Sequence, residues 1–514
     1  MISPNSLTPP MSPTPIMNFP PLNLNGLVVN GRSSVLASNG TGPTASHTHI
    51  ANGNHSIDPV PPSRKPRTLC LCFDGTGNKF GLHVSSPVPT HQKPDLTGLI
   101  QNSNVVRLFR ALKKDNDEEQ LAYYQAGIGT YNKRQFRTYT LSYIASALDQ
   151  AIARQLPDHV KDGYKFLMQN YHHGDRICLF GFSRGAYTAR ALAGMLYKVG
   201  LLPAHNDQQL DFAFSMYSST DLGSAVTSRE FKETFSIDVE VEFLGVWDTV
   251  SSVGVIPRVL PYSSSCYGVK VFRHALALDE RRARFRPSIW GEPRANEEML
   301  DRPIPDTLRP ANVSRDEWVY DPPVDHLDIK EVWFSGCHAD IGGGSHVKDE
   351  NESLSNIALR WMISECKDAN VGIQFDDRVL KEFGVESHTA HEANATLLAS
   401  DQPSALTRLG EKVLRRFAKD DTDAVARIYD QLSTVRWWWP LEVIPTLVTW
   451  QNVTGGWMRA RIPNFGEGRI IPHRDHKVSV HASVRKRIET EPSYKPMALN
   501  WDLINDLRVV EWVS

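Results

Sequence analysis

Neither positive nor negative residues predominate in this chain: across 514 residues, 56 Lys and Arg stand against 58 Asp and Glu, a formal net charge of −2. That balance supplies no long-range pull toward a polyanion, so nucleic acid is not an expected partner and net charge alone draws nothing to an acidic membrane. Cysteine is sparse, with six residues and no C-x-x-C pair. This argues against a disulfide framework or a zinc knot, and Cys70 and Cys72 in "LCLCF" read as small apolar core residues. No apolar run reaches the roughly eighteen residues that a membrane-crossing helix needs. The N-terminus lacks the basic and apolar regions of a secretory leader. A cytoplasmic or peripherally membrane-associated protein is expected. Neither G-x-x-x-x-G-K-[ST] nor a helix-opening G-x-G-x-x-G occurs, which weakens nucleotide binding.

What is present divides into three stretches. Residues 1–65 are rich in Pro, Ser, Thr, Asn and Gly with few aromatic residues, and read as disordered. Six N-x-S/T sequons, at Asn39, Asn54, Asn312, Asn351, Asn394 and Asn452, matter only for a secreted chain. From 66 to 366, apolar runs alternate with helical patterns. "TLCLCF", "QLAYYQ", "RICLFGFS", "VEVEFLGVWDTV" (239–250) and "IKEVWFSGCHADIGGG" (329–344) read as strands. "NVVRLFRALKK", "LSYIASALDQAIARQL", "VKDGYKFLMQNY", "RGAYTARALAGMLYKVG" and "LSNIALRWMISEC" read as helices. Strands apolar on both faces, alternating with helices, predict an α/β fold with a mostly parallel central sheet covered on both sides. Residues 367–514 predict a helical, Trp-rich extension or lid packed on that domain, with a helical pattern over 404–432.

In an open parallel sheet, reactive groups collect where strands end at their carboxyl edge. Asp74-Gly75-Thr76, Ser183, Asp248 and His338 all follow apolar runs. Ser183 sits in Gly181-Phe182-Ser183-Arg184-Gly185, a G-x-S-x-G placed between a strand and a helix, as a nucleophile elbow requires. The flanking Gly181 and Gly185 leave room for a tight turn that lifts the hydroxyl above the sheet. A serine needs a base and the base an orienting acid, and Ser183, Asp248 and His338 follow the α/β-hydrolase order. The amide of Arg184, at the helix start, is one candidate oxyanion donor; a second comes from Gly75 or Thr76. Less dramatic readings compete. Ser183 also suits a helix N-cap, Asp248 a strand-closing turn with Asp279 as its rival, and His338 has rivals in His274 and His346. Asp74 and Asn78 could simply brace the "DGTGN" turn, or Asp74 could serve phosphate chemistry.

The segments "CFDGTGN", "GFSRGAYTAR", "FLGVWDTV", "RHALALDE" and "GCHADIGGG", in this order over about 66–366, resemble the catalytic domain of the type VI secretion phospholipase effectors of the first lipase class. They are equally similar to its largely uncharacterised fungal and bacterial α/β-hydrolase relatives, and "VSVHASVRKRI" (478–488) resembles a further family segment. The resemblance implies an α/β-hydrolase fold and a serine esterase or lipase acting on carboxylic esters, phospholipid acyl esters among them. Ser183 would be its nucleophile, Asp248 its orienting acid and His338 its general base, with no cofactor. The chain departs from the family in its long low-complexity N-terminus and in Ser345, where an aromatic residue is expected. A degenerate hydrolase-fold scaffold and a phosphate-handling enzyme using Asp74 are the alternatives.

Outside this set, "VRWWWPLEVIPTLVTWQNVTGGWM" (435–458) holds five tryptophans. Trp437, Trp438 and Trp439 suit either peripheral membrane contact or a surface docked on the sheet. His473, His476 and His481 lack a nearby acidic cluster, so no metal site is expected. Arg273, Arg281, Arg282 and Arg284 read as a solvated helical face with salt bridges, or as phosphate contacts.

Overall fold

The first apolar run is buried along its whole length, and its residues alternate between two cores. In β1 (Thr68–Phe73), Leu69, Leu71 and Phe73 enter one hydrophobic cluster while Cys70 and Cys72 enter another. A strand with no wet face must have layers on both sides of its sheet. The computed structural model, which describes residues 64–76, 78, 102–128, 141–250, 260–291, 327–344, 352–385, 419–451, 457–472, 477–506 and 509–513, has that arrangement. The expected disorder of 1–65 falls almost wholly outside these residues, as do all six sequons and His346. Residues Arg64–Ser514 form one compact unit.

The chain passes from β1 through α1 (Asn104–Ala111) to β2 (Gln120–Gln125), then through α2 (Leu141–Asn170) to β3 (Arg176–Phe182). Next come α3 (Arg184–Val199), α4 (Asp207–Ser218), α5 (Leu222–Phe235), β4 (Val241–Trp247), β5 (Val269–Ala277) and β6 (Asp328–Phe334). These are followed by α6 (His338–Gly342), α7 (Leu354–Asp368) and α8 (Asp377–Phe383). Six strands therefore come from the stretch expected to be α/β. Among the described residues the central sheet has eight strands: two late ones, Val510–Val513 and Val478–His481, lie side by side at one edge, followed in order by β6, β5, β4, β3, β1 and β2, and every pair is parallel. One core packs α2 and α3 side chains such as Tyr164, Leu192 and Met195 on one face. The other packs Val105 and Leu108 of α1 with Ile357, Trp361 and Met362 of α7 on the opposite face. All six cysteines are buried with free thiols.

From β1 the chain first moves outward to β2, then returns to place β3 on the other side of β1. The loops after β1 and β3 thus diverge, and the crevice between them is where an open parallel sheet presents a site. "DGTGN" and Ser183 flank that crevice.

The stretch 367–514, expected to be helical, contributes strands as well. After α9 (Gln431–Thr434) and α10 (Trp439–Val443), β7 (Thr446–Gln451) and β8 (Trp457–Ile462) form an antiparallel hairpin. Then β9 (Val478–His481) and β10 (Val510–Val513), with α11 (Ala482–Thr490) and α12 (Trp501–Asp506) between them, extend the central sheet. Two further readings change. The run 329–344 leaves the strand at Phe334, turns at Gly336 with φ 110°, and continues as the short helix α6. "RHALALDE" is not a helical face: Arg273 and His274 belong to β5, which is buried between β4 and β6. Their charges are met from neighbouring elements, Arg273 by Glu365 and Asp328 and His274 by Glu331.

Candidate active site

Ser183 joins β3 to α3 with φ 59° and ψ −120°, a conformation that costs a non-glycine residue about 1–3 kcal/mol. Its side chain makes no capping bond to α3, so the N-cap reading fails. The backbone is held by Ser183 N–H donating to the Trp247 carbonyl at 3.0 Å. The glycines are required by close approach of main chain. A Cβ on Gly181 would lie 2.4 Å from the Gly185 carbonyl oxygen, and one on Gly185 would lie 2.3 Å from that of Phe73. The elbow is therefore wedged against the end of β1.

The neighbouring strands bring two more side chains to it. Phe182 is paired with Trp247, and Trp247 with Ala275, so Asp248 emerges from β4 directly beside the elbow. His338 follows β6 by one turn. The Ser183 Oγ–H faces His338 Nε2 at 2.8 Å, and His338 Nδ1–H faces Asp248 Oδ2 at 2.5 Å. All three residues are buried. Burial pushes the imidazole below its ordinary value of 6.5, with Asp248 opposing that shift. For Asp248, burial alone would raise the carboxyl, but Arg469 and His338 together hold it well below the usual carboxylate range.

Arg469, which the sequence reading did not single out, grips both oxygens of Asp248: Nη1 donates to Oδ1 at 2.6 Å and Nη2 to Oδ2 at 2.9 Å. Nothing local marks it, because its partner lies 221 positions earlier. Glu280 was also missed. It accepts the His338 backbone N–H at 3.2 Å and pairs with Arg282 at 2.8 Å, fixing the start of α6. Aromatic walls complete the setting. Phe182 and Phe285 lie 4.6 and 4.8 Å from the His338 ring, and Trp438 packs edge-on against Phe285 at 5.5 Å.

The rivals are placed elsewhere. Asp279 accepts from the amides of Gly336 and Met497 and from the Tyr494 hydroxyl, and burial pushes its carboxyl up to about 6. His274 accepts the Thr249 N–H through Nε2 and faces Glu331 through Nδ1, bracing the residue after Asp248 from below. Arg282 is buried and stacks 3.5 Å over Phe285, and Arg281 pairs with Asp430, so neither lies on a solvated helical face.

The loop after β1 answers one candidate. The Gly75 N–H donates to the Asp74 carboxylate at 2.7 Å, which occupies the amide expected to meet an oxyanion. Thr76 carries a buried hydroxyl with no hydrogen-bond partner among the described residues. Arg184 occupies the first turn of α3, whose N–H groups point out of the helix end. Asp74 itself is buried and also accepts from the Tyr124 hydroxyl at 2.8 Å. Burial pushes its carboxyl up, against hydrogen bonds from Ser103, Tyr124, Gly75 and Asn78. A carboxylate so enclosed braces a turn.

Trp438 turns inward, Trp439 is exposed, and the Trp437 side chain lies outside the described residues. Among the described residues no group of three or more His, Cys, Asp or Glu could hold a metal, and no helix is long and apolar enough to cross a membrane. His473 and His476 lie outside them. His481 accepts from the Ser483 N–H and stacks on Phe334.

An uncharacterized protein of Saccharomyces cerevisiae is 27% identical over 585 aligned positions, covering 86% of this chain and 82% of its own length. Among solved structures, the Tle1 effector bound to the VgrG spike of the Type 6 secretion system is similar at 15% identity, with 82% of this chain and 96% of that one covered and a TM-score of 0.35. An uncharacterized protein from Pseudomonas aeruginosa is similar at 19% identity with a TM-score of 0.34; 70% of this chain matches 53% of that one, so the chain spans about half of its length. The family model "T6SS, Phospholipase effector Tle1-like, catalytic domain" matches residues 67–365, the stretch that carries Ser183, Asp248 and His338. With more than half of its residues within that match, the chain belongs to the Tle1-like phospholipase effector family.

Proposed function

We propose that this protein is a serine hydrolase cleaving carboxylic esters of lipids, phospholipid acyl esters among them, through an acyl-enzyme on Ser183. The observation that carries the reading is the unbroken line from Ser183 Oγ through both ring nitrogens of His338 to Asp248. With Nδ1–H donated to the carboxylate, Nε2 is left as the acceptor, which is the tautomer a general base needs. His338 takes the hydroxyl proton as Ser183 attacks the ester carbonyl. The imidazolium then gives that proton to the departing alcohol. Water, deprotonated by the same nitrogen, releases the fatty acid and restores Ser183. The Arg184 amide is one oxyanion donor in this reading. Thr76 replaces Gly75 as the other, since its hydroxyl is buried and has no partner among the described residues while the Gly75 amide is engaged.

A fluorophosphonate probe tests the proposal. It should phosphonylate Ser183, identified by peptide mapping, and labelling confined to other residues would refute the reading. Rate against pH gives a second check. The base must be neutral, and burial lowers its pKa, so the rate should be level near pH 7 and fall only below the ordinary imidazole value of 6.5. A limb centred above that value would contradict this environment for His338.

The scaffold and phosphate readings have less support. A bystander gains nothing from a serine held at positive φ, and Asp74 spends one oxygen on the Gly75 amide of its own loop and the other on the Tyr124 hydroxyl of β2.

The same reading includes peripheral contact with a lipid surface. Trp439, Val443, Ile444, Leu447, Ile462 and Phe465 are 42% or more exposed and lie on or beside α10 and the hairpin. The adjoining Trp438 touches Phe285, which touches His338, so this apolar face borders the reactive groups. Exposed Arg436 and Arg461 flank it, which suits anionic headgroups. Replacing Trp439, Val443 and Ile444 together with serine should weaken co-sedimentation with vesicles of mixed zwitterionic and anionic phospholipid by at least about 10-fold. Hydrolysis of a soluble short-chain ester should be unchanged. Undiminished sedimentation would remove this face from the lipid contact.

A further inference from the structure

We propose that Arg469 is a positioning residue of the hydrolytic site, a fourth member that clamps Asp248 and keeps it ionised, supplied by a stretch beyond the family-matched residues 67–365. The inference rests on the serine-hydrolase reading. Asp248 is fully buried, and an ionised carboxylate there costs several kcal/mol unless it is paired and hydrogen-bonded. Its four acceptor positions are filled. Oδ1 accepts from the Ala277 N–H at 3.0 Å and Arg469 Nη1 at 2.6 Å, and Oδ2 accepts from His338 Nδ1 at 2.5 Å and Arg469 Nη2 at 2.9 Å. Two parallel bonds from one planar fork fix both the rotation and the tilt of the carboxylate.

The fork is itself fixed. Nη1 also donates to the Ala277 carbonyl at 2.9 Å and Nη2 to that of Phe285 at 2.6 Å. One guanidinium thus ties together the end of β5, the orienting acid, and the backbone of the residue whose ring walls His338. A lysine ammonium carries the charge but cannot present two donor atoms to two oxygens in one plane. Arg469 also neutralises Asp248, so the imidazolium formed during reaction faces a carboxylate that already has a counter-charge. That favours neutral imidazole and a base that works at lower pH. Removing the guanidinium leaves a lone buried carboxylate beside His338. Whether the extra negative charge stabilises the imidazolium or the carboxylate itself takes up a proton, the acid limb moves toward higher pH.

The test uses the full chain with Arg469→Met and Arg469→Lys, following fluorophosphonate labelling of Ser183 against pH and normalising rates to the folded fraction from circular dichroism. Arg469→Met should label at least about 100-fold more slowly at pH 7, with its acid limb about one unit higher than in the native chain. Arg469→Lys should be slowed by about 10-fold, with a smaller shift in the same direction. If Arg469→Met fails to fold, the lysine variant decides by the same two readouts. A folded variant with native rate and native limb overturns the inference. So does a slowed variant whose limb does not move, because a purely structural residue would behave that way. Absence of Ser183 labelling in the native chain would instead overturn the underlying serine reading, so the two failures are distinguishable.

Discussion

Replacing Ser183 with alanine is expected to abolish fluorophosphonate labelling at this position and to lower ester hydrolysis by at least about 10^4-fold. The substitution removes the attacking oxygen and leaves everything that holds it. The substituted alanine would inherit the same positive φ and the same bond to the Trp247 carbonyl, so strain is neither added nor relieved. The lost contact is one hydrogen bond to His338, which contributes about 1 kcal/mol. Stability should therefore barely change while activity collapses. Asp248→Asn should fall nearly as far, by about 10^4-fold, because an amide can favour the wrong imidazole tautomer. The measurements are steady-state hydrolysis of a soluble ester and a denaturant melt of each variant. Retention of a tenth of native activity in Ser183→Ala would remove this serine from the chemistry.

The second large effect concerns folding. Gly185→Ala should destabilise the protein by about 3 kcal/mol and also slow labelling of Ser183. The added Cβ would meet the carbonyl oxygens of Phe73 and Asp74 at 2.3 and 2.4 Å, atoms of main chain at the end of β1 that cannot rotate aside as a side chain could. Relief requires α3 to move off the sheet, and α3 begins one residue after the nucleophile. Gly181→Ala should act similarly through the Gly185 carbonyl at 2.4 Å. Equilibrium unfolding in urea together with the labelling rate tests both. A Gly185→Ala variant that left both quantities unchanged would show that the crowding described here is not present.

The sheet and the candidate residues were legible in the sequence to different depths. Gly181, Ser183 and Gly185 form a local signal because the crowding they relieve is among near neighbours. Asp248 and His338 could be located because a parallel sheet collects chemistry at strand ends, although His338 comes after a turn and opens a helix rather than ending a strand. β5 escapes a reading of the sequence because Arg273 looks like a solvated residue until Glu365 and Asp328 are brought beside it by other elements. β9 and β10 have four residues each, too few for a period to show. Arg469 had no local signature at all. At Gly75 the motif suggests a free amide, but in the fold the preceding carboxylate takes it.

The late position of Arg469 has a consequence for biosynthesis. Ser183, Asp248 and His338 leave the ribosome well before the guanidinium that neutralises Asp248, and before β9 and β10. A nascent chain therefore holds Asp248 without its counter-ion until residue 469 has been made, so the clamp on this acid forms only after the whole stretch 67–365 has been synthesised.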